Sequence, residues 1–77
     1  MVTTKDHRIY AGDSFGKALQ HFREEHGLTQ GELASRVGLS RQYINELENG
    51  TGTERLDRLV RAFKELGVRI KVGPEDW

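Results

Sequence analysis

The chain has 77 residues, twelve of them basic and twelve acidic, and no cysteine, so it can hold one small domain without disulfides or thiolate metal sites. A chain of this length buries only about 60% of the surface its unfolded form exposes, which makes a partner subunit the expected supplement to its core. The even charge lacks the basic excess that usually marks a nucleic-acid partner, so any positive face has to be local.

Residues 1–12 are polar apart from "RIY" and form an expected N-terminal arm, with a second, minor strand open at Arg8 to Tyr10. From Asp13 the pattern turns helical. Phe15, Ala18, Leu19 and Phe22 repeat at the spacing of one buried face, Asp13 reads as the N-cap and Gly27 as the stop. A second short helix is expected from Thr29 or Gln30 to Val37, with Leu33, Ala34 and Val37 inward. A third follows from Arg41 to Glu48, capped by Ser40, with Ile44 and Leu47 inward. After the turn cluster "NGTGT", the run "TERLDRLVRAFKELG" predicts a fourth helix with Leu56, Leu59, Val60, Phe63 and Leu66 on its apolar face. Arg55, Arg58, Arg61 and Lys64 drift around that helix, and Glu54–Arg58 and Asp57–Arg61 read as ordinary i, i+4 pairs. "VRIKV" then alternates apolar and basic residues, which is strand periodicity.

The break inside "ASRVGLSRQYINEL" carries the chemistry. Two helices this short cannot persist alone in water, so they must pack on one another. A helix-turn-helix needs a small residue at the closest approach, a permissive residue at the turn, and apolar anchors in the second helix. Ala34, Gly38, and the pair Ile44 and Leu47 supply these in turn. Ser40, Arg41, Gln42, Tyr43, Asn45 and Glu46 are left to face outward.

These residues also carry a resemblance. "TQGELASRVGLSRQYINELENG" resembles the helix-turn-helix of the lambda-repressor/Cro (Xre) family at Thr29, Gln30, Leu33, Ala34, Gly38, Ser40, Ile44, Leu47, Glu48 and Gly50. Gly31 stands where that family has a better helix former and should soften the start of its helix. The resemblance implies a DNA-binding protein whose second helix lies in the major groove. Its expected DNA contacts are Gln30, Ser40, Arg41, Gln42, Tyr43 and Asn45. Arg41 suits guanine and Gln42 adenine, while Gln30 matches a backbone-phosphate position at a helix start. Glu46 is awkward beside DNA, and Ser40 could be an N-cap alone.

Beyond the motif, "RIYAGDSFGKALQHFREEHGLTQ" and "ENGTGTERLDRLVRAFKELGVRIKV" are similar to HipB-type antitoxins. That likeness implies a transcriptional repressor of its own operon that also sequesters a HipA-like kinase toxin. It further implies a C-terminal strand that pairs with its twin as a lid over a homodimer, and a role for Trp77 in partner binding. Independently, a lone strand leaves backbone groups unpaired, and self-pairing about a twofold axis would satisfy them, with "RIY" as the alternative partner.

The expected architecture is therefore an all-α, lambda-repressor-like bundle of four helices with a C-terminal β-strand pairing across a dimer. The arm spans 1–12, the DNA-binding domain 13–67, and the dimerising strand and short tail 68–77. The expected interface comprises Phe63, Leu66, Val68, Ile70 and Val72, and the expected DNA target is a palindromic operator. No apolar run reaches membrane-span length and residues 1–10 lack a signal-peptide core, so a soluble, cytoplasmic protein is expected. His7, His21 and His26 lack metal-ligand spacing, and no nucleophile turn or phosphate loop occurs. Neither an enzyme nor a cofactor is expected. The alternatives are a stand-alone regulator, of the phage-repressor or restriction-modification-controller type, and a protein-binding adaptor that never touches DNA.

Overall fold

A computed structural model of the protein describes residues 7–74. The elements run β1 (His7–Ile9), α1 (Gly12–Glu25), α2 (Gln30–Val37), α3 (Arg41–Glu48), α4 (Glu54–Glu65) and β2 (Ile70–Val72). The four expected helices are present. Among the described residues, no helix is long and apolar enough to cross a membrane.

Local chemistry sets most of the helix ends. Thr29 caps α2 in a reciprocal box: its hydroxyl accepts the Glu32 N–H at 3.0 Å, and its own N–H donates to the Glu32 carboxylate at 2.8 Å. The Thr29 backbone N–H foremost, and its side chain next, hold the Glu32 carboxyl below the usual range by hydrogen bonding to it. Ser40 caps α3 by accepting the Tyr43 N–H at 3.0 Å. α1 departs from expectation. Its N-cap is Ala11 and Asp13 lies inside the first turn, while two other residues hold the backbone at this start. Ser14 accepts the Tyr10 N–H, and Asp57 of α4 accepts the Gly12 N–H. Asp57, read from the sequence as a partner of Arg61, thus fastens the start of α1 to α4.

α1 packs against α3, α4 and β1, and α2 packs against α3. The α1–α3 approach depends on Gly16. A Cβ there would stand 1.7 Å from the Leu47 carbonyl oxygen, so any side chain forces the helices apart. Ile9, Ala18 and Val60 form the buried cluster, with Phe15, Ile70 and Val72 packed on it. Ala34 and Ile44 are buried at the α2–α3 crossing.

The strand expected to pair with its twin pairs within its own chain. β2 lies antiparallel to β1 in the register His7–Val72, Arg8–Lys71 and Ile9–Ile70, which was the alternative partner. The physical reason is burial. This pairing seats Ile9 in the core and lays Ile70 and Val72 over it, while the His7 ring rests 4.5 Å from His21 and 5.3 Å from Phe22 of α1. Ile70 and Val72, expected at a dimer interface, therefore serve the core of their own chain. Val68 lies outside the strand.

The α4 face divides. Val60 is buried and Leu56 half-buried, but Leu59, Phe63 and Leu66, expected inward, are exposed, Leu66 at 75%. Val37 of α2, also expected inward, is 55% exposed. α1 and the sheet cover only one strip of α4.

Gly16→Ala is expected to destabilise the protein by about 1–3 kcal/mol through overpacking, despite the gain of about 0.5–1 kcal/mol that Ala brings to a helix interior. At Gly31 the added Cβ would meet its nearest neighbour, Arg41 Cδ, at an ordinary 3.7 Å. Gly31→Ala should therefore stabilise by the propensity gain. Denaturant titrations of the two variants check this, and equal small gains at both would place α1 and α3 further apart.

Candidate nucleic-acid interface

The two short helices meet at Gly38, which holds φ 78° and ψ 25°, a left-handed conformation suited to glycine. Its N–H and that of Leu39 both donate to the Ala34 carbonyl at 3.0 Å, closing α2 and aiming the chain into α3. Ile44 is 1% exposed and turns into the bundle, so Arg41, Gln42, Tyr43 and Asn45 lie exposed on the other side of α3.

Four of the six expected contact residues converge. Gln30, from the first turn of α2, lines one open cleft with Arg41, Gln42 and Asn45 of α3. The other two do not line it. The Ser40 hydroxyl oxygen is engaged in the helix cap, and the Tyr43 ring stands 42% exposed elsewhere on α3. Glu46, the acid that seemed out of place, accepts from the Gln42 side-chain amide at 3.3 Å and so holds that amide along the helix.

Behind the cleft lies a polar anchor that sequence reasoning missed. Glu48, with a side chain only 2% exposed, pairs with Arg23 of α1, whose side chain is 9% exposed. The pair is two-pronged: Arg23 Nε donates to Glu48 Oε2 at 2.6 Å and Nη2 to Oε1 at 2.9 Å. Arg23 Nη1 also donates to the Leu28 carbonyl at 2.7 Å, which secures the α1–α2 connection. Gln30 Nε2 donates to Glu48 Oε1 at 2.9 Å, and Asn45 Nδ2 donates to Gln30 Oε1 at 3.2 Å. One buried carboxylate thus ties α1, α2 and α3 together at the back of the exposed face.

Burial pushes the Glu48 carboxyl up, but the hydrogen bonds from Arg23 and Gln30 and the Arg23 charge outweigh it and leave the group below the usual carboxylate range. The same hydrogen bond to Glu48 raises Arg23. Glu48 therefore stays ionised under ordinary conditions. No local signal in the sequence joins Arg23 to Glu48, which are 25 positions apart. The only trace of Glu48 was its place in the motif match.

Among the described residues, no group of His, Asp and Glu is arranged to hold a metal ion. His21 lies 3.3 Å from Glu25 and meets the His7 ring at a tilt and the Phe22 ring edge-on, a packing arrangement.

The helix-turn-helix family model matches residues 19–72 of the chain, taking in α2, the turn, α3 and α4. An uncharacterised helix-turn-helix-type transcriptional regulator, y4dJ of Sinorhizobium fredii, is 36% identical over 63 residues, which are 82% of this chain and 77% of the relative. A second, MJ0272 of Methanocaldococcus jannaschii, is 38% identical over 53 residues, 69% of this chain and 80% of the relative. Multiprotein-bridging factor 1 of Candida albicans is 38% identical over 58 residues; these are 75% of this chain but span only 38% of that protein's length. No solved structure gives a significant match.

A carboxylate held below its unfolded value stabilises the fold above that value, and the contribution disappears as pH falls through the folded one. Thermal stability is therefore expected to fall as pH drops below about 4.3, the ordinary glutamate value. Glu48→Gln should be less stable at neutral pH, since breaking a buried pair costs about 3–5 kcal/mol, and should show a flatter acid limb. The limb that remains includes Glu32, which has the same sign. An acid limb as steep as in the parent would remove Glu48 as its cause.

Proposed function

The chain belongs to the helix-turn-helix family of the Xre/Cro-like kind, and on that footing we propose that it is a sequence-specific DNA-binding transcriptional regulator, a homodimeric repressor reading a palindromic operator with α3. The observation that carries this reading is the convergence of Gln30, Arg41, Gln42 and Asn45 on one open cleft, backed by a rigid, fully hydrogen-bonded anchor. Similarity to two helix-turn-helix-type transcriptional regulators supports it.

Each side chain has a chemical role. Arg41 supplies a planar pair of donors for guanine O6 and N7. Gln42, its amide group turned to Glu46, offers its carbonyl to a base amine. Gln30 sits at the start of α2, where an incoming phosphate meets the helix N-terminus. Tyr43 and the Ser40 hydroxyl proton flank them. Because the formal net charge is zero, non-specific attraction to DNA has to come from local cations such as Arg36 and Arg41, both exposed.

Dimerisation is supported by the apolar stripe Leu59, Phe63 and Leu66 on α4, continued by Val68 and Tyr10, all exposed. Their spacing of four and three residues places the three leading members on one helix face. Two copies joined there would present paired recognition helices, and a separation of about 34 Å would fit one turn of DNA. Phe63, Leu66 and Val68 are the interface residues of this reading. Ile70 and Val72, the other two expected interface residues, pack on the core of their own chain.

A second reading, a protein-binding adaptor, is favoured by the similarity to a multiprotein-bridging factor. Salt separates the two, since contacts to several phosphates weaken steeply as salt rises. The finer reading, an antitoxin sequestering a HipA-like kinase, is supported only by the likeness of residues 8–30 and 48–72 to such antitoxins. Trp77, its suggested partner contact, lies outside the described residues. A stoichiometric kinase on native co-purification is what that role requires.

In binding assays against the chain's own upstream DNA, Arg41→Ala is expected to lose about 1–3 kcal/mol of discrimination at one position of each half-site. Unchanged discrimination would remove Arg41 from the readers. Leu66→Asp, at an exposed position, should keep the wild-type circular dichroism yet sediment as a monomer and bind the operator more weakly. A wild-type protein that remains monomeric even on DNA would dispose of the dimer.

A further inference from the structure

Glu48 does more than hold three helices together, because an ionised carboxylate can only accept hydrogen bonds. Its Oε1 takes the Gln30 side-chain amide at 2.9 Å, so Gln30 must turn its nitrogen inward and its carbonyl outward. That carbonyl receives the Asn45 amide at 3.2 Å. Asn45 must then turn its own carbonyl the other way, where the Asn49 amide donates to it at 3.1 Å. The row Asn49, Asn45, Gln30, Glu48 runs in one direction along the exposed side of α3 and ends on a buried charge.

An isolated asparagine can turn over and offer a donor or an acceptor with equal ease. Here a reversed Asn45 would set its carbonyl against that of Gln30, and its amide against that of Asn49. A reversed Gln30 would set its carbonyl against the Glu48 carboxylate. The row reverses as a whole or stays, and a group without protons at its end forbids reversal. The direction follows from the carboxylate, which can only accept.

The consequence reaches the cleft. Gln30 and Asn45 each use one amide proton within the row and keep a second. Both line the cleft, whereas the Asn45 carbonyl is turned along the helix to Asn49. From this position, then, DNA meets an N–H group. We propose that Asn49 is a positioning residue for DNA recognition: it holds the Asn45 carbonyl along the helix, so that Asn45 turns its free N–H rather than its carbonyl toward DNA and one base pair of each half-site is selected against cytosine. Guanine, adenine and thymine each show an acceptor in the major groove, while the cytosine edge shows an amine donor. This inference rests on the α2–α3 face being the DNA interface.

The test is selection of binding sites from a randomised DNA pool by the wild-type chain, Asn49→Ala and Asn45→Asp, with thermal unfolding measured alongside. Asn49 is exposed, and its backbone N–H, which donates to the Asn45 backbone carbonyl rather than to its side chain, survives the change to alanine. Asn49→Ala is expected to unfold like the parent and to keep its salt dependence, yet to accept cytosine about fivefold more readily at a single position of each half-site. Asn45→Asp, an acceptor in place of a donor, should favour cytosine at that same position, which assigns the position to Asn45. A base profile unchanged by Asn49→Ala, or a loss spread evenly over all positions, overturns the proposal while leaving a discriminating DNA-binding protein. A wild-type chain that selects no sequence at all overturns the DNA-reading function, and this inference with it.

Discussion

The structure depends on the two-pronged ion pair between Arg23 and Glu48. A core whose buried apolar side chains are Ile9, Ala18, Ala34, Ile44 and Val60 supplies cohesion but little orientation, because apolar contact is non-directional. The ion pair supplies direction. Arg23 presents a planar fork that matches a carboxylate, and its remaining nitrogen reaches the Leu28 carbonyl. The carboxylate has a further acceptor site filled by Gln30. Among the described residues, no buried side-chain nitrogen or oxygen lacks a partner, so neither buried charge is left without hydrogen bonds.

Close approach is the second constraint, and it follows from the first. Arg23 can reach Glu48 only if α1 lies tight against α3, and Gly16 permits that by leaving the Leu47 carbonyl in contact with bare backbone. Gly12 does the same at the other end, where a Cβ would meet the Thr53 carbonyl at 2.6 Å. The sheet closes the remaining side. β1 and β2 come from opposite ends of the described chain, and their pairing covers Ala18 and Val60 with Ile9, Ile70 and Val72.

Function inherits this arrangement. The proposed recognition surface, on two eight-residue helices, would be soft if it relied on helix propensity, and Gly31 has a lower helix propensity than the residues around it. The caps at Thr29 and Ser40 and the anchor beneath Glu48 offset that softness. They also fix which atoms the surface presents: Gln30 and Asn45 are held from behind by the charge network, and Gln42 is held by Glu46. For a protein without net charge, geometry of this kind has more to contribute to sequence preference than overall electrostatic attraction.

By itself the sequence determined the elements whose causes are local. The four helices, the turn at Gly38, the cap at Ser40, the inward set Ala34 and Ile44, and the outward set on α3 were all legible there, because helical spacing and capping act over three or four residues. The tertiary structure decided what depends on distant partners. It paired β2 with β1, turned Asp57 toward Gly12, left Val37, Leu59, Phe63 and Leu66 exposed, and joined Arg23 to Glu48. Each of these outcomes is a competition among positions far apart in the chain for the same few buried or hydrogen-bonding sites. A periodic pattern shows which residues can compete for such a site, and only the packed chain shows which of them occupies it.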